Sequence, residues 1–342
     1  MERSENIMQM RVGWFNVENL FTRYAFAQPD AEGLSYDRQV IAVGVTALEH
    51  GAGNQGDGNV ALAGMQRDNT ARVILDMQPD ILGVSEVENL EAMRIFNQQY
   101  LSHYFDGMFM IEGNDGRGID VAICIRKGFE AKVLGIRTHT HETLEPGQSV
   151  EWGVTNDDDG PVYQARNALF SRDCLELDLE INGKVVTFMA NHFKSQGGNR
   201  SGRRDALAPD ELRLRQATRV AELAEQALAA GKHPIVFGDL NVDDTHPERG
   251  HSIAPVLQCG LDDAFADLPA AERWTHFFMV KQDVSRLDYI LHAPSLKRVD
   301  REINRKGISL KCKQHKGERY PTVGYAHNAA SDHAGLCVTF EL

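Results

Sequence analysis

The sequence predicts an α/β sandwich, with sheets packed face to face and helices outside, in preference to a doubly wound parallel sheet. Two observations predict it: strand-like runs outnumber helical ones, and the clearest pair of them forms an antiparallel hairpin in mid-chain. The 342 residues, 42% of them hydrophobic, suffice to bury a large core.

The first strand is expected over 10–15 (MRVGWF) and gives way to Asn16. A second, 81–85, follows Pro79-Asp80, and the third, 119–126, reads IDVAICIR. In 174–181, Leu175, Leu177, Leu179 and Ile181 alternate with polar residues; Asn182-Gly183 then supplies the turn into 184–190, the second arm of the hairpin. Further strands are expected over 234–238, 286–292 and 335–342. One helix, 69–77, stops ahead of Pro79. Another, 212–230, carries Val220, Leu223, Ala224, Ala227 and Leu228 on one stripe and ends at Gly231. Residues 22–67, rich in Gly and weakly periodic, are expected to be a surface insertion between the first strand and the first helix. Residues 147–161, with the run NDDDG, are read as a second irregular stretch, more readily a solvated loop than a metal site. Neither repeats nor low-complexity linkers are evident, so a single domain over 1–342 is expected.

A formal charge of -13 argues against a protein that coats nucleic acid, a task that runs on Lys and Arg. It leaves room for an enzyme that meets a polyanion through a local basic patch and bound cations. Five cysteines without a C-x-x-C spacing read as buried free thiols. The N-terminus is charged where a signal peptide would be apolar, and no apolar run approaches membrane-spanning length. A cytoplasmic protein with no membrane partner is the expectation, and a monomer is the working assumption.

Polar residues gather at the strand ends. Asn16 follows RVGWF, Glu86 follows DILGVS, and Asp120 sits inside RGIDVAICIR. Asn191-His192 follow KVVTFMA, Asp239 and Asn241 follow HPIVFG, Asp288 lies in RLDYIL, and Asp332-His333 precede AGLCVTFEL. Each has a plain structural explanation. Asn16 suits a strand-end cap, Glu86 a solvated end, Asp120 a pairing with Arg117, His192 a hydrogen-bonded interior position, GDLN a turn, and Asp288 an ion pair with Arg286. As a set they favour convergence on one cleft. Hard oxygen ligands such as Glu86 suit Mg²⁺ or Mn²⁺, and two histidines without a thiol or an H-E-x-x-H helix make zinc a poorer fit. Asp239 could align or deprotonate a water, Asn241 could hold that water or a phosphoryl oxygen, and His192 and His333 could stabilise a pentacoordinate transition state. The chemistry suggested is metal-assisted phosphoester hydrolysis.

The motifs FNVENLF, PDILGVSEVEN, GRGIDVAICIRK, NHFKSQGG, VFGDLN, RLDYIL and SDH occur in an order that resembles the endonuclease/exonuclease/phosphatase superfamily, of DNase I-like fold. That resemblance implies a four-layered α/β sandwich of two mixed, mostly antiparallel sheets with the site at one edge. It makes Glu86 the principal metal ligand with Asn16 beside it, places Asp332 close to the metal, and gives Asp239 and Asn241 the nucleophilic water. His333 becomes the phosphate-contacting histidine oriented by Asp288, and His192 its counterpart oriented by Asp120. NHFKSQGG and its Arg-bearing loop look most like bacterial nuclease-type members. Lys194, Arg200, Arg203 and Arg204 would then grip a nucleic-acid backbone, unless they form a solvated loop offset by Asp205, Asp210 and Glu211. Trp274-Thr275-His276 would put an aromatic or imidazole at the substrate mouth, with a core role the plainer reading of Trp274. The implied activity is a nuclease leaving 5′-phosphate ends. The alternatives are a phosphoesterase for a small or lipid phosphate, and a non-catalytic binding module on the same fold.

Overall fold

The computed structural model describes residues 8–20, 23–29, 35–41, 60–116, 118–157, 160–196, 207–325 and 328–342. In chain order, the strands of its two large sheets are β1 (Gln9–Leu20), β2 (Ile81–Val87), β3 (Phe105–Met110), β4 (Asp120–Arg126), β5 (Lys132–Arg137), β6 (Cys174–Ile181), β7 (Lys184–His192), β8 (His233–Asp239), β9 (Asp262–Asp263), β10 (Asp288–His292), β11 (Lys297–Asn304) and β12 (Gly335–Glu341). The longest helices among the described residues flank them: α1 (Val60–Met77), α2 (Leu90–Gln99) and α3 (Pro209–Ala229).

Each sheet has six strands, in the orders β11-β12-β1-β2-β4-β3 and β9-β10-β8-β7-β6-β5. Both are mixed in the same way: β1 and β2 are parallel at the centre of one, β7 and β8 at the centre of the other, and every other pairing is antiparallel. The sheets meet through alternate residues, among them Trp14, Ile123, Leu177, Phe188, Phe237 and Val338. Trp14 and Phe237 stack across the interface at 5.6 Å. Gly83 makes room for them, since a Cβ there would come within 2.4 Å of the Phe237 ring and 2.7 Å of Trp14. On the outer face of the first sheet, Phe15, Leu82, Val84 and Cys337 pack on Val73, Ile74 and Met77 of α1 and Phe96 of α2. Val220 and Ala224 of α3 join the core of the second sheet. The result is the expected four-layered sandwich.

The hairpin appears as β6 and β7 in the register its alternation implies, Ile181 opposite Lys184. All five cysteines are buried and free. Among the described residues, no helix is long and apolar enough to cross a membrane.

Two expectations need correction. Residues 60–67 belong to α1, not to an insertion, and Arg67 is fully buried with Nη2 donating to the Asn19 carbonyl at 3.0 Å. The helical period was hidden because Gln66 and Arg67 occupy part of its buried face. Residues 23–29 pair with 35–41, so part of the remainder is a two-stranded ladder. Within 147–161, Trp152–Asp157 pairs with Gly160–Ala165, a hairpin about the acidic run. The β-forming residues Trp152, Val154, Val162 and Tyr163 flanking NDDDG favour that outcome over irregular coil.

Candidate active site

The topology gathers the polar strand ends at one edge. β1, β2, β7 and β8 all run toward it and end with Asn16, Glu86, His192 and Asp239 at or near the rim. β10 and β12, antiparallel to β8 and β1, start from it, so Asp288 pairs directly with Asp239 and His333 lies two residues ahead of β12.

Asp239 is the hub. Its Oδ1 accepts from the Asn241 amide at 2.9 Å, and its Oδ2 lies 3.1 Å from Asn16 Nδ2, 3.5 Å from His192 Nε2 and 3.8 Å from His333 Nε2. Burial, with Asp288 and Glu86 nearby, pushes its carboxyl up to about 7, against the opposing pull of His333. His333 Nδ1 is 2.7 Å from Asp288 Oδ2, and the other Asp288 oxygen accepts from Trp14 Nε1 at 2.8 Å. Burial alone would lower the His333 value, yet Asp288 and Asp239 outweigh it and hold the imidazole well above its ordinary range. Arg286, the plain partner considered for Asp288, instead pairs with Asp263 through both Nη atoms and stacks on Tyr289.

Glu86 stands at a β-bulge between Ser85 and Val87 with φ at +65°, a strained conformation for a residue with a side chain. The bulge leaves Oε2 accepting from the Asn19 amide at 3.1 Å and Oε1 3.4 Å from Asn16 Nδ2 and 4.0 Å from His192 Nε2. Asn16 turns its amide nitrogen toward Glu86 and Asp239, while its oxygen accepts from the Glu18 amide at 3.0 Å. In this arrangement it ties two carboxylates together and presents a donor where a metal ligand would present an oxygen. Asp332 is nearby, its Oδ1 3.8 Å from His333 Nε2 and its amide donating to Glu18 Oε2 at 3.1 Å.

Asp120 Oδ1 accepts from the Gly113 amide at 2.9 Å. Burial, then Asp115, Glu112 and Asp173, pushes its carboxyl up to about 7. Arg117, its alternative partner, lies outside the described residues, as do Arg200, Arg203 and Arg204. Lys194 is described: its amide donates to Gln216 Oε1 at 2.9 Å and its carbonyl accepts from the fully buried Arg213 at 2.8 Å. Gln196 Nε2 donates to the Asn241 carbonyl at 2.9 Å, tying this loop to the GDLN turn.

Several site residues had no expectation attached. Glu18, inside FNVENLF, is raised well above the ordinary carboxylate range by burial, Asp332 and Glu86. Thr275 Oγ1 accepts from the Leu287 and Asp288 amides at 3.0 Å each, and Ser331 Oγ donates to the Asn16 carbonyl at 2.8 Å and accepts from the His333 amide at 3.0 Å. Motif membership was the only signal for Glu18, in FNVENLF, and for Ser331, in SDH, while Thr275 lies between the two residues singled out at the mouth, Trp274 and His276. His276 is at the mouth, its ring centroid 4.7 Å from that of His333 and its Nε2 3.5 Å from Asp332 Oδ2. Trp274 is core, buried with Phe277, Ile308 and Cys312.

The donor set fits a hard divalent cation. Neighbouring carboxylates contribute to raising both Glu18 and Asp239, the signature of negative charge that a cation would relieve. His276, Asp332 and His333, and separately Asp239, Asp288 and His333, bring ligand-type atoms within 4.8 Å of one another. His333 spends Nδ1 on Asp288, so only Nε2 remains for another partner.

The sequence matches the profile of the Endonuclease/Exonuclease/phosphatase family over residues 52–333. No curated protein matches it in sequence. Among solved structures it is similar to an endonuclease/exonuclease/phosphatase from Bacteroides vulgatus, at 16% identity, covering 98% of this chain and 99% of that one with a TM-score of 0.59. A mannosyl-6-phosphatase of Bacteroides thetaiotaomicron gives 17% identity over 96% and 98% with a TM-score of 0.55. The human nocturnin catalytic domain with bound sulfate gives 15% over 97% and 94%, also with a TM-score of 0.55. At these identities the likeness is one of fold.

Proposed function

Because the chain belongs to the endonuclease/exonuclease/phosphatase family, whose members are phosphoric ester hydrolases, we propose that it is a divalent-metal-dependent phosphodiesterase and, specifically, a nuclease acting on DNA or RNA. The observation that carries this reading is the approach of His192 Nε2 and His333 Nε2 to one oxygen of Asp239, whose other oxygen Asn241 fixes. Two imidazoles facing one buried carboxylate suit a phosphoryl group in transit between them, with Asp239 on the side of the attacking water.

Asp239, held by Asn16 and the Asn241 amide, would accept the proton of the attacking water. Asn241 keeps the carboxylate oriented, and His333, charged and aligned by Asp288, would donate to a phosphoryl oxygen. Glu86 with Asp332 would hold the cation, which when bound supplies positive charge to the phosphoryl oxygens. The same residues make a non-catalytic module the poorer reading. Nucleic acid is favoured as substrate by Lys194, Arg200, Arg203 and Arg204, which cluster in sequence directly after His192. A second reading, a phosphatase for a small phosphate ester, draws on the structural likeness to a mannosyl-6-phosphatase.

The test is to incubate the protein with supercoiled plasmid, single-stranded oligonucleotides, RNA, a generic phosphodiester and sugar phosphates, each with Mg²⁺, Mn²⁺ or EDTA. Cleavage of nucleic acid that EDTA abolishes is the expected result. Turnover confined to the monoesters would replace the nuclease with the phosphatase, and activity undiminished by EDTA would remove the metal.

A further inference from the structure

The hairpin of His276–Phe278 and Asp283–Ser285 reaches outward from the reaction centre. Its root is fixed: the Phe277 amide donates to the Asp332 carbonyl at 2.9 Å and the Ala334 amide to the Thr275 carbonyl at 2.6 Å, pairing His276 with His333. Phe277 is buried beside Trp274, Ile308 and Cys312, which anchors the arm in a small core of its own. Its tip is apolar yet exposed. Phe278, Met279 and Val280 are 43%, 38% and 82% exposed, and Lys281 Nζ lies 5.9 Å from the Phe278 ring centroid.

Between root and tip runs a ladder of rings. His333 and His276 are 4.7 Å apart, and His276 and Phe278 are 6.3 Å apart with planes inclined by only 23°. An exposed aromatic next to a cation, aligned with imidazoles that lead to a phosphoryl site, is the combination that holds unstacked bases and their backbone. We infer that this hairpin is a base-stacking platform on which Phe278 receives a nucleobase flanking the scissile phosphate while Lys281 faces the backbone, so that the preferred substrate is single-stranded or locally unpaired nucleic acid. This rests on the nuclease reading and narrows its substrate class. The main-chain pinning of the root to residues 332–334 holds the platform in a fixed relation to His333, so that stacking aligns the phosphate as well as binding it.

The experiment compares a short single-stranded oligonucleotide, cut at one position, with the same strand made abasic on either side of the cut, for the wild type, Phe278→Ala and Phe278→Tyr. The wild type is expected to lose about tenfold in KM on one abasic strand, the scale of one stacked base. Phe278→Ala is expected to show that higher KM on both strands alike, and Phe278→Tyr to restore the discrimination. A wild type that cuts both strands equally, or an alanine variant that still discriminates, overturns the platform while leaving the nuclease intact. A wild type that cuts no nucleic acid but turns over sugar phosphates overturns both. In a parallel flotation with phosphatidylcholine vesicles, wild-type binding that Phe278→Ala abolishes, with cleavage unaffected, would reassign the tip to a lipid surface.

Discussion

Four non-glycine residues near the reaction centre, Glu18, Asn19, Glu86 and Asn241, hold positive φ between 51° and 65°. Asn tolerates that region through local hydrogen bonds, but Glu does not, so the strain at Glu86 is offset by what its carboxylate holds. Glu86→Gln keeps the shape and removes the charge; it is expected to fold normally, lose most turnover and bind Mg²⁺ more weakly by calorimetry. Full activity at low Mg²⁺ would free Glu86 of that role. Asp288 and His333 give a second test. With one Asp288 oxygen on His333 and the other on Trp14, the pair has a single orientation. Asp288→Asn and His333→Ala are each expected to lower kcat on the order of 10²–10⁴-fold. The double variant should be little worse than the poorer single one, because residues acting as one unit are not additive. Losses that multiply would separate them. The gathering of Asp239, His333 and Glu86 at one edge was legible because a charged residue at the mouth of an apolar strand is costly unless used. Trp14 and Thr275 were not, since a hydrogen bond to a residue about 270 positions away, Trp14 to Asp288, leaves no local pattern.

At the scale of elements, legibility tracked burial. Central strands such as β2, β4 and β8 are buried on both faces and read as apolar runs. The edges did not: β11 reads KRVDREIN, with no alternating or continuous apolar signal, and β5, KVLGIR, holds only a four-residue apolar run between two charges. α2 was missed for a different reason. It has only 10 residues, and its clearest mark is the Asn89 cap, whose side chain accepts from the Ala92 amide. What sets the two sheets in contact is a residue with no side chain at all. Gly83→Ala would drive a methyl into Phe237 and Trp14, and Trp14 also holds Asp288. The expected cost is about 1–3 kcal/mol from overpacking, read as a lower denaturation midpoint with an unchanged slope. A fall in kcat beyond the unfolded fraction should accompany it as Trp14 shifts. An unaltered midpoint would mean that the sheets part at little cost.

For the molecule as a whole, one pH sensitivity of stability is expected on the outer face of the second sheet. His139 is buried with Nδ1 2.7 Å from Glu142 and Nε2 2.6 Å from Glu176, so both ring nitrogens meet carboxylates. Arg219 also binds Glu142, and Arg137 bridges Glu176 to Asp178, which Lys232 reaches as well. Burial lowers the His139 value, but the two carboxylates outweigh it and push the imidazole up to about 9. A group raised on folding stabilises fully below its unfolded value near 6.5, and that stability is lost as pH rises through about 9. The scale is on the order of 3 kcal/mol. Glu142 works in the other direction: His139 and Arg219 overcome its burial and hold it at about 2, so its contribution is present above about 4.5 and lost as pH falls toward 2. Stability should therefore be flat between roughly pH 4.5 and 6.5 as far as this network is concerned, and should decline on both sides. The net charge of -13 adds a repulsion of its own, but one shared by any variant that keeps the carboxylates. The difference between wild type and His139→Gln in denaturation midpoint against pH isolates the network. The variant is expected to be less stable at pH 6, with the gap closing between pH 6.5 and 9; parallel profiles would show that His139 carries no proton there, and that the two glutamates are held by Arg219 and Arg137 alone.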